Sequence, residues 1–407
     1  MRLLFLTPQP PYPPHAGGAL RTLGLLDGLH KAGCQVDLLT FVEHNQQDPK
    51  QTPAATLCDE IVSVPTPQRA ISQRVRDLVA GKADLERRFY SPQFADALRT
   101  QLARHAYDAI QFEGLEVTPY LPLVKAAAPT LKTIYSSTNA EYELQHGMYL
   151  NDRRDVRRVA GLLYSLIQWR RLIRYERWVC ENVTQVIATS QTDADSFARL
   201  APHAPISVVP NGIFVNEYTS ENVQAQLELG SSALLFTGSM GYRPNVDAAL
   251  WFSDQILSRV REAVPDARLF VVGNRPHARL DPLRQRPDVK ITGYVQNILP
   301  FLYGCAVYVV PLRIGGGTRL KLLQAMAAQR AIVSTAIGAQ GLDAMAGRDL
   351  LIANDAASFA QNVIALLRDP ARRATMGSAA YSFVCDHYDW SVIMPRLMRM
   401  YQEMGLA

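Results

Sequence analysis

The sequence lacks several patterns that would define a function directly. Its 407 residues contain no Gly-Lys-Ser or Gly-Lys-Thr, so there is no P-loop, and no Gly-x-Gly-x-x-Gly follows a predicted strand as a dinucleotide fingerprint requires. The five cysteines are scattered, without a Cys-x-x-Cys pair or a histidine at metal-ligand spacing. We therefore expect a reduced, cytoplasmic protein with no structural zinc.

Long apolar runs and a strong charge imbalance are also missing. No stretch approaches the roughly 20 apolar residues of a membrane span, and the run at residues 3–6 is too short for a signal peptide, so it predicts a first strand. Any membrane contact should then be peripheral. The net charge is only +5, with 19% charged and 48% apolar residues, which argues against a nucleic-acid binder and favours an anionic substrate or surface.

Length and periodicity predict an α/β protein of two domains. A chain of 407 residues exceeds what one hydrophobic core usually serves. Apolar strands alternate with helical patterns twice, and a polar segment at 216–230 separates the two series. We expect two Rossmann-like, doubly wound domains facing across a cleft, at residues 1–212 and 213–388, with a late helix in 389–407 crossing back to the first domain.

The most informative stretch is residues 315–327, which read GGGTRLKLLQAMA after an apolar strand at 306–310. Glycines let a backbone approach a ligand closely, and a helix N-terminus attracts anions. A phosphate bound here could contact the backbone amides of Gly316 and Gly317 and the cations of Arg319 and Lys321. The hydroxyl of Thr318, predicted to cap the helix, lies beside them. The alternative is an ordinary strand, turn and helix with two solvated basic residues.

Two further strand ends carry similar features. Gly17 and Gly18 lie between the first strand and a helix predicted at 19–32, where they either bind an anion or only permit a tight turn. Residues 136–143, SSTNAEYE, place amides, hydroxyls and carboxylates after another strand, although Thr138 and Glu141 also fit a helix capping box.

Residues 152–182 predict a long, strongly basic helix with one apolar face. Its arginines fan over the rest of the helix surface. They either form a solvated face or dock on anionic lipid or a lipid-diphosphate acceptor.

Six motifs in order resemble those of family 4 of the nucleotide-sugar-dependent glycosyltransferases, which have the GT-B fold, over essentially the whole chain. They lie at residues 13–18, 208–212, 236–240, 271–273, 291–295 and 315–327. The resemblance implies retaining transfer from a nucleotide diphosphate sugar to a hydroxyl acceptor held mainly by the first domain, without a metal or cofactor. The expected acceptor is a saccharide or a lipid-linked molecule in surface polysaccharide or glycolipid synthesis.

The resemblance also implies roles for individual residues. Arg319 and Lys321 would stabilise the departing nucleoside diphosphate, with Thr318 and the amides of Gly316 and Gly317 beside them. Donor contacts are further implied for Gly17 and Gly18 from the first domain, for Gly238, and for Tyr294 and Val295, which would hold the nucleobase through backbone atoms. Acceptor contacts are expected from Glu113, Asn139 and Glu141.

Two departures from the family pattern leave alternatives open. Gly316 and Gln324 stand where the family often has paired glutamates, and Gln324 would meet the ribose with a neutral amide. Thr138 stands where related chains carry histidine, a role that His15 or His146 would have to fill. A catalytically weak homologue that binds a nucleotide sugar or a partner is therefore the second hypothesis. The third is a nucleotide-sugar epimerase, which would need carboxylates such as Glu113, Glu116, Glu141 and Glu143.

Overall fold

The computed structural model describes residues 1–14, 17–152, 159–223, 227–315 and 318–406. The chain folds as two compact units. Unit 1 comprises Met1–Asn211 with Ile393–Ala407, and unit 2 comprises Gly212–Val392.

Unit 1 is built on a parallel sheet of seven strands. Its strands are β1 Arg2–Thr7, β2 Gln35–Val42, β3 Glu60–Pro65, β4 Ala109–Glu113, β5 Lys132–Ser136, β6 Gln185–Ala188 and β7 Ile206–Val208. Their order is β3-β2-β1-β4-β5-β6-β7, and Leu3 pairs with both Val36 and Ala109. Strand β1 reads as a continuous apolar run because helices cover both faces of such a sheet, and Leu3 to Leu6 are fully buried.

The helices of unit 1 follow the strands. They are α1 Gly17–Lys31, α2 Ile71–Val79, α3 Asp84–Arg88, α4 Pro92–Arg104, α5 Leu121–Ala127, α6 Glu141–Asp152, α7 Val159–Asn182 and α8 Gln191–Leu200. The basic region predicted as one helix at 152–182 is thus described as the end of α6 and as α7, and residues 153–158 lie outside the described residues.

Unit 2 contains a six-stranded parallel sheet. Its strands are β8 Ala233–Thr237, β9 Arg268–Val272, β10 Val289–Gly293, β11 Val307–Val310, β12 Ile332–Ser334 and β13 Leu351–Ile352. The order β10-β9-β8-β11-β12-β13 is that of the Rossmann sheet, 3-2-1-4-5-6 in the unit's own count.

The helices of unit 2 pack against this sheet. They are α9 Arg243–Trp251, α10 Leu257–Ala263, α11 Leu299–Gly304, α12 Leu320–Ala327, α13 Ala356–Arg368 and α14 Pro370–Tyr388. A π-helical turn, Phe252–Ile256, joins α9 to α10. The sequence patterns had not predicted α13 or α14.

The last helix, α15 Trp390–Glu403, begins in unit 2, and from Ile393 onward the chain belongs to unit 1. There the Tyr401 hydroxyl donates to Oε1 of Gln111 at 2.6 Å. Met394 lies against Gly28 of α1 so closely that a Cβ at that glycine would be 2.3 Å from its sulfur. The end of the chain is therefore an integral part of the unit 1 core.

Candidate functional site

The strand order of unit 2 reverses between β8 and β11, which lie side by side although 69 residues separate their ends. Open α/β sheets bind ligands beyond the carboxyl ends of the strands at such a switch point. Gly238 follows β8 directly, and the loop after β11 leads into α12. The residues of these two connections form the candidate site.

Glycine is required where β8 and β9 end. A Cβ at Gly273 would lie 1.7 Å from the carbonyl oxygen of Gly238, and the Gly238 N–H donates to the Val272 carbonyl at 3.0 Å. Gly238 has a φ of 148°. A Cβ there would lie 2.7 Å from Nζ of Lys321 and equally close to Nδ2 of Asn245. The missing side chains let two backbone segments and a lysine converge at one point.

Lys321 is partly buried at this point, in the first turn of α12. Its Nζ donates to Oδ1 of Asn245 at 2.7 Å and lies 4.6 Å from the ring centroid of Phe236 in β8. Burial, and then the nearby Arg319 cation, lower the pKa of Lys321 to about 7. The site thus holds a lysine beside a second cation, an arrangement that an anionic ligand would stabilise.

Arg319 occupies the N-cap position of α12, and its guanidinium folds back over Gly315, where a Cβ would be 1.8 Å from Nη2. The prediction that Thr318 caps this helix was wrong, because the helix begins one residue later than such a cap requires. Thr318 is buried, and its hydroxyl donates to the Gly341 carbonyl at 3.4 Å. Gly316 and Gly317 lie outside the described residues.

Gln324 is held from within unit 2. Its Nε2 donates to the hydroxyl of Tyr218 at 2.8 Å, and Tyr218 is itself buried in the core. The carbonyl of Tyr218 accepts from the Tyr303 hydroxyl at 2.8 Å. One of the two N–H groups of the Gln324 amide is therefore engaged, and a contact of Gln324 with the ribose stays a prediction.

Tyr294 and Val295 follow β10, whose last residue, Gly293, has a φ of 77°. The Tyr294 side chain is exposed, and Val295 packs against the core of unit 2. A nucleobase contact by their backbone atoms stays a prediction.

In unit 1 the strand order reverses between β1 and β4. Gly17, the first residue of α1, and Gly18 lie after β1, and a Cβ at Gly18 would be 3.2 Å from Nε2 of Gln9. His15 lies outside the described residues. The role of the two glycines in donor binding also stays a prediction.

Glu113, at the end of β4, is almost completely buried. The Ser136 hydroxyl donates to its Oε2 at 3.0 Å, and Nε of Arg21 lies 3.7 Å from the same oxygen. Burial raises the pKa of Glu113 although Arg21 opposes this effect. Arg21 also donates to the carbonyls of Val209 and Pro210. These contacts hold Glu113 in place within unit 1, and its contact with an acceptor stays a prediction.

Asn139 and Glu141 are brought together after β5. Nδ2 of Asn139 donates to Oε1 of Glu141 at 3.2 Å. Burial, together with the nearby Glu116 and Glu176 carboxyls, raises the pKa of Glu141 to about 8. Both residues are partly exposed and stay candidates for acceptor binding.

The capping box predicted for Thr138 and Glu141 was wrong, because α6 begins at Glu141 and Thr138 stands too far ahead. The buried carboxylate of Glu176, in α7, accepts from the N–H groups of Glu141 at 3.1 Å and Tyr142 at 2.9 Å. These bonds satisfy the first amides of α6. His146, in the same helix, stacks on Trp169 with ring centroids 4.2 Å apart.

Sequence reasoning missed Asn245 and Arg21. Asn245 comes seven residues after Gly238, in the first turn of α9. A polar residue at this place in the sequence lies near the carboxyl end of β8. That position is the signal that could have revealed it. Arg21 stands on a helix face that is otherwise apolar, and no sequence pattern predicted its burial.

One three-residue group among the described residues has metal-ligand atoms close together. Ligand atoms of Asp37, Glu60 and His105 all lie within 4.8 Å of one another. The Asp37 carboxylate accepts from Arg2 Nη2 at 2.8 Å, and Glu60 lies 3.2 Å from Arg104. Protein cations thus already balance these carboxylates.

The fold of this chain is similar to that of several solved structures over nearly its whole length. Sucrose-phosphate synthase of Thermosynechococcus elongatus aligns with a TM-score of 0.74 at 16% identity, over 100% of this chain and 99% of that one. HepE of Anabaena, solved with UDP and glucose, aligns with a TM-score of 0.68 at 13% identity, over 99% of this chain and 100% of that one. The protein has the GT-B fold of two Rossmann-like units, as predicted from the sequence.

Sequence comparisons point to the same class. Residues 16–212 match the family described as glycosyl transferase 4-like domain, and residues 231–369 match glycosyl transferases group 1. The phosphatidyl-myo-inositol mannosyltransferase of Mycolicibacterium smegmatis is 26% identical over 209 residues, which are 49% of this chain. The chain spans 44% and 52% of the lengths of the two curated relatives it matches. The chain is thus similar to glycosyltransferases in both of its matched segments.

Proposed function

We propose that the protein is a retaining glycosyltransferase that moves a sugar from a nucleotide diphosphate sugar to an acceptor hydroxyl, in surface polysaccharide or glycolipid synthesis. The observation that carries this proposal is the pair of basic residues at the switch point of unit 2: Lys321 lies beside Gly238, and Arg319 lies at the N-cap of the same helix. HepE, a structural neighbour, was solved with UDP-glucose, which supports a nucleotide sugar as the donor.

The proposed chemistry follows from where charge develops. When the bond between the sugar and the diphosphate breaks, negative charge builds on the departing oxygen. Lys321 is fixed by Asn245, and Arg319 lies close enough to influence its pKa, so both are already in place before the reaction. Preorganised cations lower the barrier because little reorganisation is needed at the moment of transfer. We therefore propose that the protein's own cations neutralise the leaving group and that no metal or cofactor is required.

The acceptor would be bound by unit 1, where Asn139 and Glu141 offer an amide and a carboxyl to saccharide hydroxyls. A lipid-linked acceptor would bring the protein to the cytoplasmic face of a membrane. Among the described residues, the helices include none long and apolar enough to cross a bilayer. Leu163 and Tyr164 near the start of α7 are exposed. They favour peripheral contact beside the arginines of that region.

A panel of nucleotide sugars, tested first by thermal shift, identifies the donor, because a ligand that binds only the folded state raises the melting temperature. The donor is then incubated with saccharide and lipid-linked acceptors, and the anomeric configuration of the product is read by NMR. Transfer with the donor's configuration preserved is the expected result. Donor binding without transfer to any acceptor would favour a binding homologue, and a rearranged donor would favour an epimerase.

A further inference from the structure

Helix α12 carries its two polar residues on one face. Five of its eight residues are buried in the core of unit 2, whereas Lys321 and Gln324 are partly exposed. Residues three apart on a helix are neighbours on its surface, with about 5 to 6 Å between their Cβ atoms. A ligand whose phosphates contact Lys321 can therefore reach Gln324 with the next group along its length.

The Gln324 amide has one end fixed and the other end open. Its Nε2 donates to the Tyr218 hydroxyl at 2.8 Å. The amide oxygen, Oε1, has no hydrogen-bond partner among the residues that the structure describes, and it is not one of their buried unpaired atoms. Oε1 is thus an accessible acceptor. Because the oxygen and nitrogen of an amide point in different directions, the bond to Tyr218 turns this acceptor away from the phenol.

Tyr218 is itself held firmly in unit 2. The residue is 8% exposed and belongs to the hydrophobic core. Its carbonyl accepts from the Tyr303 hydroxyl at 2.8 Å. Three residues earlier, the N–H of Val215 donates to the Asp389 carboxylate at 3.2 Å. Contacts that do not involve Gln324 therefore fix the position from which the phenol hydroxyl meets the amide.

We propose that Tyr218 is a positioning residue, which orients the Gln324 amide so that its oxygen accepts a hydrogen bond from a ribose hydroxyl of a bound nucleotide. The inference rests on the proposed function, because it takes a nucleoside diphosphate as the ligand, with its phosphates at Lys321. In such a ligand the ribose is the group next to the phosphates, and its hydroxyls can donate to an amide oxygen. Tyr218 thereby gives the site a preference for a ribonucleotide over its deoxy form, and it acts through Gln324 without contacting the nucleotide.

The expected preference is modest, because the amide oxygen carries no charge. One neutral hydrogen bond changes an equilibrium constant about 2- to 12-fold. The wild type should bind UDP more tightly, by that factor, than the form of UDP that lacks the contacted hydroxyl. Tyr218→Phe keeps an aromatic ring in the core and removes only the hydroxyl, so the amide loses its anchor. The preference should then fall towards one, while binding of the deoxy form changes little.

Calorimetric titration of the protein with UDP, 2′-deoxy-UDP and 3′-deoxy-UDP measures this preference. Gln324→Leu should abolish it. In the Gln324→Leu background, Tyr218→Phe should have no further effect on the preference, because the two residues act as one unit. Tyr303→Phe is the matched control, since it removes a hydroxyl bonded to the Tyr218 backbone and leaves the contact with Gln324 in place. This control should keep the wild-type preference.

The outcomes separate this inference from the proposed function. A Tyr218→Phe protein that binds all three ligands more weakly by the same factor, or that keeps the wild-type preference, would overturn the inference and leave the proposed function intact. Equal binding of UDP and both deoxy forms by the wild type would also overturn it, because Gln324 would then make no contact with the ribose. Failure of the wild type to bind any nucleoside diphosphate tested would overturn the proposed function, and this inference with it.

Discussion

Replacing Lys321 by methionine should stabilise the ligand-free protein at neutral pH. Methionine has a similar length and packs well against aromatic rings such as Phe236. The substitution removes an amine that is partly buried beside Arg319 without a carboxylate partner among the described residues. A residue kept at a cost to stability is what a ligand-binding role predicts.

The magnitude follows from the lowered pKa of Lys321. Its fall from 10.5 to about 7 corresponds to at most about 5 kcal/mol, at 1.36 kcal/mol per pH unit. Solvent screening reduces this figure, and the Asn245 oxygen, left without its donor, costs about 1 to 3 kcal/mol. We therefore expect a net gain of about 1 to 3 kcal/mol at pH 7. Between pH 7 and 10.5 the unfolded wild type binds more protons than the folded one, so its stability rises with pH and the gain of the variant disappears.

Urea unfolding of both proteins without nucleotide, at pH values from 6 to 10, measures this difference. Lys290→Met is a matched control, because Lys290 is exposed on β10 and its replacement should have the same effect at every pH. A Lys321→Met protein that is less stable than the wild type at pH 7, or a difference that does not shrink towards pH 10, would refute the reasoning.

Three other substitutions or conditions give distinct expectations. Gly273→Ala should lower the free energy of unfolding in urea by more than about 2 kcal/mol and abolish UDP binding, because its Cβ would overlap the Gly238 carbonyl. A stable variant that binds UDP normally would show that the turns after β8 and β9 separate easily. Gln324→Glu should modestly lower the donor Kd in calorimetry, since a carboxylate is a stronger acceptor for ribose hydroxyls. The Tyr218 hydroxyl, which accepts from Gln324, can rotate to donate to the new carboxylate. Weaker binding of every donor would remove Gln324 from the ribose site. Vesicles with anionic lipid should bind the protein at low salt through the arginines of residues 153–177. Each basic residue near the membrane surface contributes about 1 kcal/mol to binding. Absence of binding at low salt would count against membrane docking.

Local sequence patterns predicted the parts of this protein that depend on neighbours along the chain. The apolar runs of β8 and β11 and the helical spacing of α12 are local, and so the sequence predicted the junction between β11 and α12, which carries Arg319 and Lys321. The first residues of helices were predicted less accurately, because capping contacts determine where a helix begins. Thr138 and Glu141 matched a local capping box, yet α6 is capped by Glu176, which lies 35 residues from Glu141 and has no sequence signature for this role.

Two hydrogen bonds that fix side chains of the candidate site are long-range. Asn245 and Lys321 are 76 residues apart, and Gln324 and Tyr218 are 106 residues apart. Periodicity contains no information about such pairs, because it reports only which face of an element is buried. The strand β13 has two residues and was likewise too short to leave a pattern.

The central claim is that Arg319 and Lys321 stabilise the departing nucleoside diphosphate during glycosyl transfer. The most direct measurement is the rate of nucleoside diphosphate release from the identified donor in the presence of acceptor, for the wild type, Arg319→Ala and Lys321→Ala. Loss of one preorganised charge contact typically lowers the rate about 100- to 1,000-fold, and we expect each variant to fall by that amount while it stays folded. Wild-type rates in both folded variants would contradict the account.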